Sequence, residues 1–98
     1  MKHFMLFYEY PADFRDRRAP FRGAHLEAAS ASVARDELQL GGALTDDPPQ
    51  GMLLFKGEEA SVAEDFAKAD PYVLNGVVLS WRVREWTTVV GRDALTKV

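Results

Sequence analysis

The alternation of hydrophobic and polar residues predicts that the chain opens with a strand covered on both sides. Residues 2–10 are rich in aromatic side chains and are followed by Pro11, a combination typical of a strand. Successive strand residues point to opposite faces. One face therefore carries Phe4, Leu6 and Tyr8, and the other carries Met5 and Phe7. Since both faces hold large apolar groups, we expect a central strand with cover above and below the sheet.

The next periodic segment has the spacing of a helix. It begins at Pro20, which suits a first helical turn because proline has no N–H to leave unpaired, and it runs to about Glu37. Leu26, Ala29, Ser30 and Val33 form a narrow stripe at helical spacing. Residues 12–19, between this helix and the first strand, hold three Arg and two Asp and are expected to form a solvated loop.

A second helix is predicted after residue 60. Ser61 and Glu64 match a capping box, in which each side chain satisfies the other's free backbone N–H. The helix ends at Asp70, because a residue that precedes proline avoids the helical conformation.

Three further strands complete the pattern. Residues 38–45 and 52–56 are expected to form a hairpin, and residues 77–90 a long final strand. The order β-α-β-β-α-β with right-handed crossovers predicts an α+β, ferredoxin-like domain. Its four-stranded antiparallel sheet would carry both helices on one face. The other apolar face then needs a cover of its own, so we expect a homodimer in which two open sheet faces pack together.

Composition and charge narrow the class of function. The 98 residues fit one domain, which we place at residues 1–90 with a tail at 91–98. The net charge of −3 argues against a nucleic-acid binder. No apolar run reaches the roughly 20 residues of a membrane helix, so no membrane partner is expected. With no Cys and two His, we expect no disulfide, no metal site and a cytoplasmic location.

His25 and Asp70 are the candidates for chemistry. His25 lies at the edge of the predicted helical stripe. It is either a general acid or base at the mouth of a cleft, or a histidine without a chemical role that is exposed or half-buried. Asp70 precedes Pro71 and is suited to cap the short turn that follows. A capping carboxylate has a second oxygen, so the same side chain is able to orient His25.

Three other positions are candidates for contacts to a small-molecule ligand. Tyr72 is either a core aromatic residue or a hydroxyl donor to the ligand. Gly42, together with Gly41, forms either a bulge or a place where a substrate approaches the backbone. Arg22 precedes His25 in the same predicted helix.

In their order and spacing, these residues resemble the YciI-like (YCII-related) family. The resemblance covers residues 2–88, nearly the whole chain. It is carried by the segments Arg22-Gly-Ala-His25-Leu26, Leu40-Gly41-Gly42-Ala43-Leu44, Gly51-Met-Leu-Leu, Ala69-Asp70-Pro71-Tyr72, Asn75-Gly76 and Arg84-Glu85-Trp86. It implies a dimeric α/β-barrel of ferredoxin-like protomers with a His and an Asp in the active site, which correspond to His25 and Asp70. The chain departs from the family pattern at Ala43, where Pro is common, and in the charged loop of residues 10–19.

The sequence and the resemblance together favour a small enzyme without a cofactor. In this interpretation His25 moves a proton on a small organic acid or lactone, in a lyase- or dehalogenase-like reaction, while Asp70 orients the imidazole. The alternative is a non-catalytic module that binds a small ligand or a partner on the same dimeric scaffold. A haem-binding monooxygenase is a weaker third alternative, because it needs an axial His in a large apolar pocket. Convergence of His25 and Asp70 on one cleft would favour the enzyme.

Overall fold

The computed structural model describes residues 1–98 and contains four strands and four helices. In chain order the elements are β1 (Lys2–Glu9), α1 (Phe14–Arg18), α2 (Arg22–Ala34), β2 (Leu38–Leu44), β3 (Gln50–Gly57), α3 (Ser61–Ala69), α4 (Pro71–Leu74) and β4 (Ser80–Trp86). A short 3-10 turn, Ala19–Phe21, joins α1 to α2. None of the helices combines the length and the apolar composition that crossing a lipid bilayer requires.

The four strands form one antiparallel sheet in the order β2-β3-β1-β4. The aromatic first strand is central, as predicted, and pairs with β3 on one edge and with β4 on the other. Tyr8 lies opposite Gly51 in this register, and Met5 lies opposite Leu54 and Arg84. The arrangement is the predicted ferredoxin-like α+β fold, which the structure confirms.

The hydrophobic core lies between the sheet and the helices. Alternate residues of β1 and β3 pack against Ala63 and Ala67 of α3, whose small side chains allow the helix to lie close to the sheet. By contrast, α2 has one fully buried residue, Ser32, whose hydroxyl accepts a hydrogen bond from the Leu38 N–H at 3.1 Å. This contact holds the C-terminal end of α2, while Leu26 and Val33 of the same helix stay partly exposed.

The opposite face of the sheet carries no helix. Its apolar side chains are Met5, Phe7, Leu40, Met52, Leu54 and Trp86. Leu40 is 73% exposed and Trp86 is 50% exposed. The guanidinium carbon of Arg82 lies 4.4 Å from the centre of the Phe7 ring. The chain's own helices therefore leave this face uncovered, as the two-sided first strand predicts.

The prediction of a solvated loop at residues 12–19 is wrong. These residues contain the helix α1, and Phe14 at its start is 2% exposed. The Phe14 ring stacks on Tyr10 with a centroid distance of 4.5 Å and an interplanar angle of 2°. One buried aromatic side chain is thus enough to fold this charged segment onto the body of the domain.

The predicted helix at 20–37 is shorter and packs differently. The α-helical part is Arg22–Ala34, and Pro20 lies in the 3-10 turn before it. The stripe that we expected to be buried is partly exposed, since Leu26 is 47% and Val33 is 56% exposed. The physical reason is the loose packing of α2, which leaves a cleft between this stripe and the sheet.

Two further local predictions are corrected. The capping box is absent, because Ala60 is the N-cap of α3 and no side chain caps it, so Ser61 is already helical. The final strand spans Ser80–Trp86 instead of residues 77–90. Val77 and Val78 enter the core before the strand begins. Beyond Trp86 the chain turns back, and the Thr96 N–H donates to the Thr88 carbonyl at 2.9 Å.

Gly51 provides a test of the packing between β1 and β3. A Cβ at this position would lie 2.7 Å from Tyr10 Oη and 3.1 Å from Tyr8 Cβ. We expect Gly51→Ala to lower the free energy of unfolding by about 1–3 kcal/mol, because the buried Tyr8 cannot move aside. Gly23→Ala is the matched control, since a Cβ there meets nothing within 4 Å. Alanine is a better helix former than glycine, so this variant should be at least as stable as the wild type. Equal denaturation midpoints for the two variants would contradict the packing described.

Candidate active site

Asp70 is buried at the junction of two helices. It ends α3 and is the N-cap of α4, where its Oδ1 accepts a hydrogen bond from the Tyr72 N–H at 3.0 Å. Its side chain has no exposed surface. Pro71 follows at the first helical position, so the Asp-Pro pair both ends one helix and starts the next. The capping role predicted for Asp70 is present in the structure.

His25 reaches the same carboxylate from α2. Its Nδ1 lies 2.8 Å from Asp70 Oδ1 and 3.0 Å from Oδ2. The His25 side chain is 12% exposed, whereas that of Asp70 is fully buried. A carboxylate only accepts hydrogen bonds, so Nδ1 carries a hydrogen and the other ring nitrogen, Nε2, is left with its lone pair when the imidazole is neutral. No protein group forms a hydrogen bond with Nε2.

Tyr8 supplies a third donor to the carboxylate from the central strand. Its hydroxyl donates to Asp70 Oδ2 at 2.7 Å. Burial raises the pKa of Tyr8, and the nearby charge and hydrogen bond of Asp70 raise it further. Tyr8 therefore stays a neutral donor. The three donors come from β1, α2 and α4, and no buried side-chain polar atom of the protein is left without a partner.

The ring of His25 is also held by stacking. Its centroid lies 3.8 Å from that of Tyr72, with the two planes 5° apart. Phe66 of α3 approaches with its ring at a steep angle, at a centroid distance of 6.4 Å. Because the hydrogen bond to Asp70 fixes the rotation of the ring and the stacking fixes its plane, the imidazole has one defined orientation.

His25 and Tyr72 line a cleft of about 590 Å³, within the common size range of small-molecule sites. One wall is the exposed stripe of α2, and the other is formed by β2 and Leu53. Arg18 and Arg22 lie at the end where α1 leads into α2. Asp70 does not line the cleft but lies behind the His25 ring, to which it is hydrogen bonded.

The residues proposed as ligand contacts all border this cleft. Arg22, Gly42 and Tyr72 are among its lining residues. Gly42 lies opposite Met52, on the open side of the sheet, and so borders the cleft with its backbone. Gly41 lies opposite Leu53, and a Cβ there would lie 3.6 Å from Leu53 Cγ, on the helix side.

Sequence reasoning missed Arg18 and Tyr10, which also line the cleft. A signal was present, because positions 18, 22 and 25 have the spacing of one helical face. Phe14, the one large apolar residue among the charges of residues 12–19, was a second signal. No group of three or more His, Cys, Asp or Glu side chains lies close enough together to hold a metal ion.

The chain is similar to known proteins in sequence and in fold. A family model described as the YCII-related domain matches residues 1–87. A solved structure with the same fold is 5-chloro-2-hydroxyhydroquinone dehydrochlorinase (TftG) from Burkholderia phenoliruptrix AC1100, in complex with 2,5-dihydroxybenzoquinone. The TM-score is 0.73 at 21% identity, and the match covers 94% of this chain and 98% of that chain. No curated protein matches the sequence.

The hydrogen bond from Tyr8 to Asp70 can be tested with a pair of matched substitutions. Tyr8→Phe removes a donor to a buried carboxylate, so we expect the free energy of unfolding to fall by about 1–3 kcal/mol. Tyr72→Phe removes a hydroxyl that donates to no protein group and should change stability by less than about 0.5 kcal/mol. Chemical denaturation at neutral pH measures both values. Equal losses would show that the hydroxyl of Tyr8 does not support Asp70.

The same variant has an expected pH dependence. The pKa of Tyr8 is raised in the folded state, so the unfolded chain releases this proton first. The stability that depends on this group is fully present below the unfolded value, about 10, and is lost as pH rises above it. The difference in stability between wild type and Tyr8→Phe should therefore shrink above pH ~10.

Proposed function

The chain belongs to the family of YCII-related domain proteins, and on that premise we propose that it is a small enzyme that transfers a proton on a small organic acid or lactone. The observation that carries the proposal is the hydrogen bond between His25 and the buried Asp70, behind one wall of an open cleft. A buried carboxylate behind an imidazole is the arrangement that general acid–base catalysis by histidine uses.

Each member of the pair has a distinct role. His25 Nε2 removes a proton from the substrate and later releases it to the departing group or to solvent, since a neutral imidazole accepts a proton and an imidazolium donates one. Asp70 holds the hydrogen on Nδ1, which keeps Nε2 available, and its negative charge stabilises the imidazolium formed after proton uptake. Asp70 is a positioning residue, because the ring of His25 stands between it and the cleft.

The reaction class that fits is elimination. His25 takes a proton from a C–H or O–H group, and the electron pair left behind expels a leaving group such as chloride or a lactone carboxylate. The imidazolium then passes its proton to the departing group or to solvent. The electron pair of the broken C–H or O–H bond forms the new double bond, and the leaving group departs with its own electron pair. The step therefore needs neither an oxidant nor a reductant, and no cofactor is proposed. The dehydrochlorinase that shares this fold is named for a reaction of this kind.

The substrate would lie along the cleft against Arg22, Gly42 and Tyr72. Tyr72 contributes the ring that stacks on His25, and Gly42 offers its backbone without a side chain in the way. Arg22 begins α2 three residues before His25, on the same side of the helix.

We propose further that the protein is a homodimer in which the open sheet faces of two copies pack together. The apolar side chains of that face include Met5, Phe7 and Trp86, and a patch of this kind usually marks an interface. A C2 dimer covers the same surface on both subunits. The tests of the dimer and of the active site are independent of each other, because the cleft lies on the helix side of the sheet.

Light scattering at micromolar concentration should give about twice the chain mass for the wild type. Leu40→Glu and Leu74→Glu form a matched pair, since the two leucines are 73% and 68% exposed, the first on the open sheet face and the second on α4. We expect Leu40→Glu to dissociate the dimer and Leu74→Glu to leave it intact. A wild type that is monomeric under these conditions would contradict the proposed dimer.

His25→Asn tests the role in proton transfer. Turnover should fall by about 10²–10⁴-fold on any substrate found by screening small lactones and halogenated acids. Asp70→Asn should also reduce turnover and cost about 1–3 kcal/mol of stability, because an amide has one acceptor oxygen for three donors. The control is His3→Asn, since His3 is buried against Thr88, away from the cleft, with 2.7 Å between His3 Nδ1 and Thr88 Oγ1.

We expect His3→Asn to keep its turnover even where it loses stability. Full turnover by His25→Asn would refute the enzyme proposal and leave a ligand-binding module on the same scaffold as the better explanation.

A further inference from the structure

We propose that Arg18 and Arg22 form an anion-binding end of the cleft, and that the substrate is a flat, largely apolar molecule with one negatively charged group, an aromatic or unsaturated carboxylate, enolate or phenolate. The inference rests on the proposed function only in placing the reacting atoms near His25. In this proposal Arg18 belongs to the site, and the charged segment at residues 12–19 that carries it takes part in ligand binding.

The charge of the cleft differs from that of the rest of the molecule. The chain carries a net charge of −3, yet the lining of this cleft includes Arg18, Arg22 and His25 and no acidic residue. A larger groove of about 760 Å³, bordered by residues of α2 and α3, is lined by Asp36, Glu37, Glu58, Glu59 and Asp65 as well as by Arg35 and Lys56. Carboxylates therefore line the larger groove but not the cleft beside His25.

Neither arginine has an acidic partner within the protein. Arg17 pairs with Asp13 at 2.9 Å, and Arg35 pairs with Glu37 at 2.9 Å, but Arg18 and Arg22 take part in no salt bridge and no side-chain hydrogen bond. Guanidinium groups bind carboxylates through two parallel hydrogen bonds and are weakly hydrated, so an unpaired pair at the end of an apolar cleft suits an organic anion.

The fold holds Arg18 at this position. Phe14 anchors α1 by its burial and by its stacking on Tyr10. The guanidinium carbon of Arg18 lies 5.1 Å from the centre of the Phe14 ring, within the range of a cation–π contact. Because Arg22 starts α2 directly after the 3-10 turn, Arg18 and Arg22 both line the cleft where α1 leads into α2.

Their positive charge also acts inside the cleft. Burial raises the pKa of Tyr10 to about 12 and also raises that of Tyr72, while Arg18 and Arg22 oppose the rise at both hydroxyls. A group that stabilises a phenolate at these positions stabilises any other anion that takes the same place.

The walls of the cleft favour a flat, apolar ligand body. Leu26 and Val33 of α2 face Leu38 and Leu53 of the sheet across the cleft. At the His25 end, the imidazole and the Tyr72 ring lie in nearly parallel planes. An anion held only by charge would not need these apolar walls, so the ligand combines a charged group with a hydrophobic part.

Benzoate and benzamide test this inference, because they have the same flat shape and differ in charge. Titrations followed by NMR give the dissociation constants of both compounds for wild type, Arg18→Gln, Arg22→Gln and Arg15→Gln. Arg15 is the matched control, since its guanidinium also lies 5.1 Å from the Phe14 ring centre but does not line the cleft.

We expect the wild type to bind benzoate roughly tenfold or more tightly than benzamide, with the preference decreasing as salt is added. Arg18→Gln and Arg22→Gln should each weaken benzoate binding by about tenfold and leave benzamide unchanged. Arg15→Gln should bind both compounds like the wild type. Equal affinity for the two compounds, no benzoate binding at millimolar concentration, or equal behaviour of Arg15→Gln and Arg18→Gln would each overturn the inference.

The inference and the proposed function fail in distinguishable ways. If His25→Asn loses turnover but the arginine variants bind benzoate normally, the proposed proton-transfer function is supported and the proposed anion site is wrong. If the arginine variants lose the preference for benzoate over benzamide but His25→Asn keeps its turnover, the anion site is supported and the proton-transfer role of His25 is wrong.

Discussion

The buried carboxylate of Asp70 is the constraint on which the rest of the site depends. An ionised carboxylate removed from water costs several kcal/mol unless donors replace its hydration shell. Here the donors are the Tyr8 hydroxyl, His25 Nδ1 and the Tyr72 N–H, which lie on the central strand, on α2 and at the start of α4. Since all three must converge on one group, the carboxylate fixes the relative position of these elements. The same three contacts that make its burial tolerable also orient the imidazole, so stability and site geometry come from one set of hydrogen bonds.

The helices α2 and α3 pack differently on the sheet: α3 completes the core, and α2 borders the cleft. The amphipathic helix α3 lies against the sheet through Ala63 and Ala67 and completes the core. The helix α2 is held by Ser32 near its end and by His25 near its start, and it leaves a gap between these two points. That gap is the cleft. An α2 packed as closely as α3 would bury Leu26 and Val33 but leave no room for a ligand, so the loose packing of this helix is what makes a site.

The sequence was sufficient for the fold, and together with the family resemblance it indicated the two central residues of the candidate site. Strand β1 has apolar groups on both faces, and this alone placed it in the middle of the sheet and predicted one uncovered face. Asp70 followed from the capping chemistry of an Asp-Pro pair. Tyr8 was not predictable as the third donor, because its partner lies 62 positions away and only the packing of α3 and α4 against the sheet brings the two side chains together. The helix α1 was missed for a related reason, since five residues carry too short a pattern and the contact that orders them, Phe14 on Tyr10, is tertiary.

The proposed anion site would give the short charged segment that carries Arg18 a reason to be ordered beside His25. Guanidinium groups on a solvated loop would lose side-chain entropy each time they bound an anion, and this loss would weaken binding. Burial of Phe14 orders the backbone of α1 during folding, and the ring contact restricts Arg18 before any ligand arrives. The anionic group of a ligand would then be held at one end of the cleft, and its apolar part would extend past the fixed imidazole of His25. An acidic residue in the cleft would neutralise the arginines and repel the ligand, whereas Asp70 lies behind the His25 ring, where it acts on the imidazole without facing the substrate.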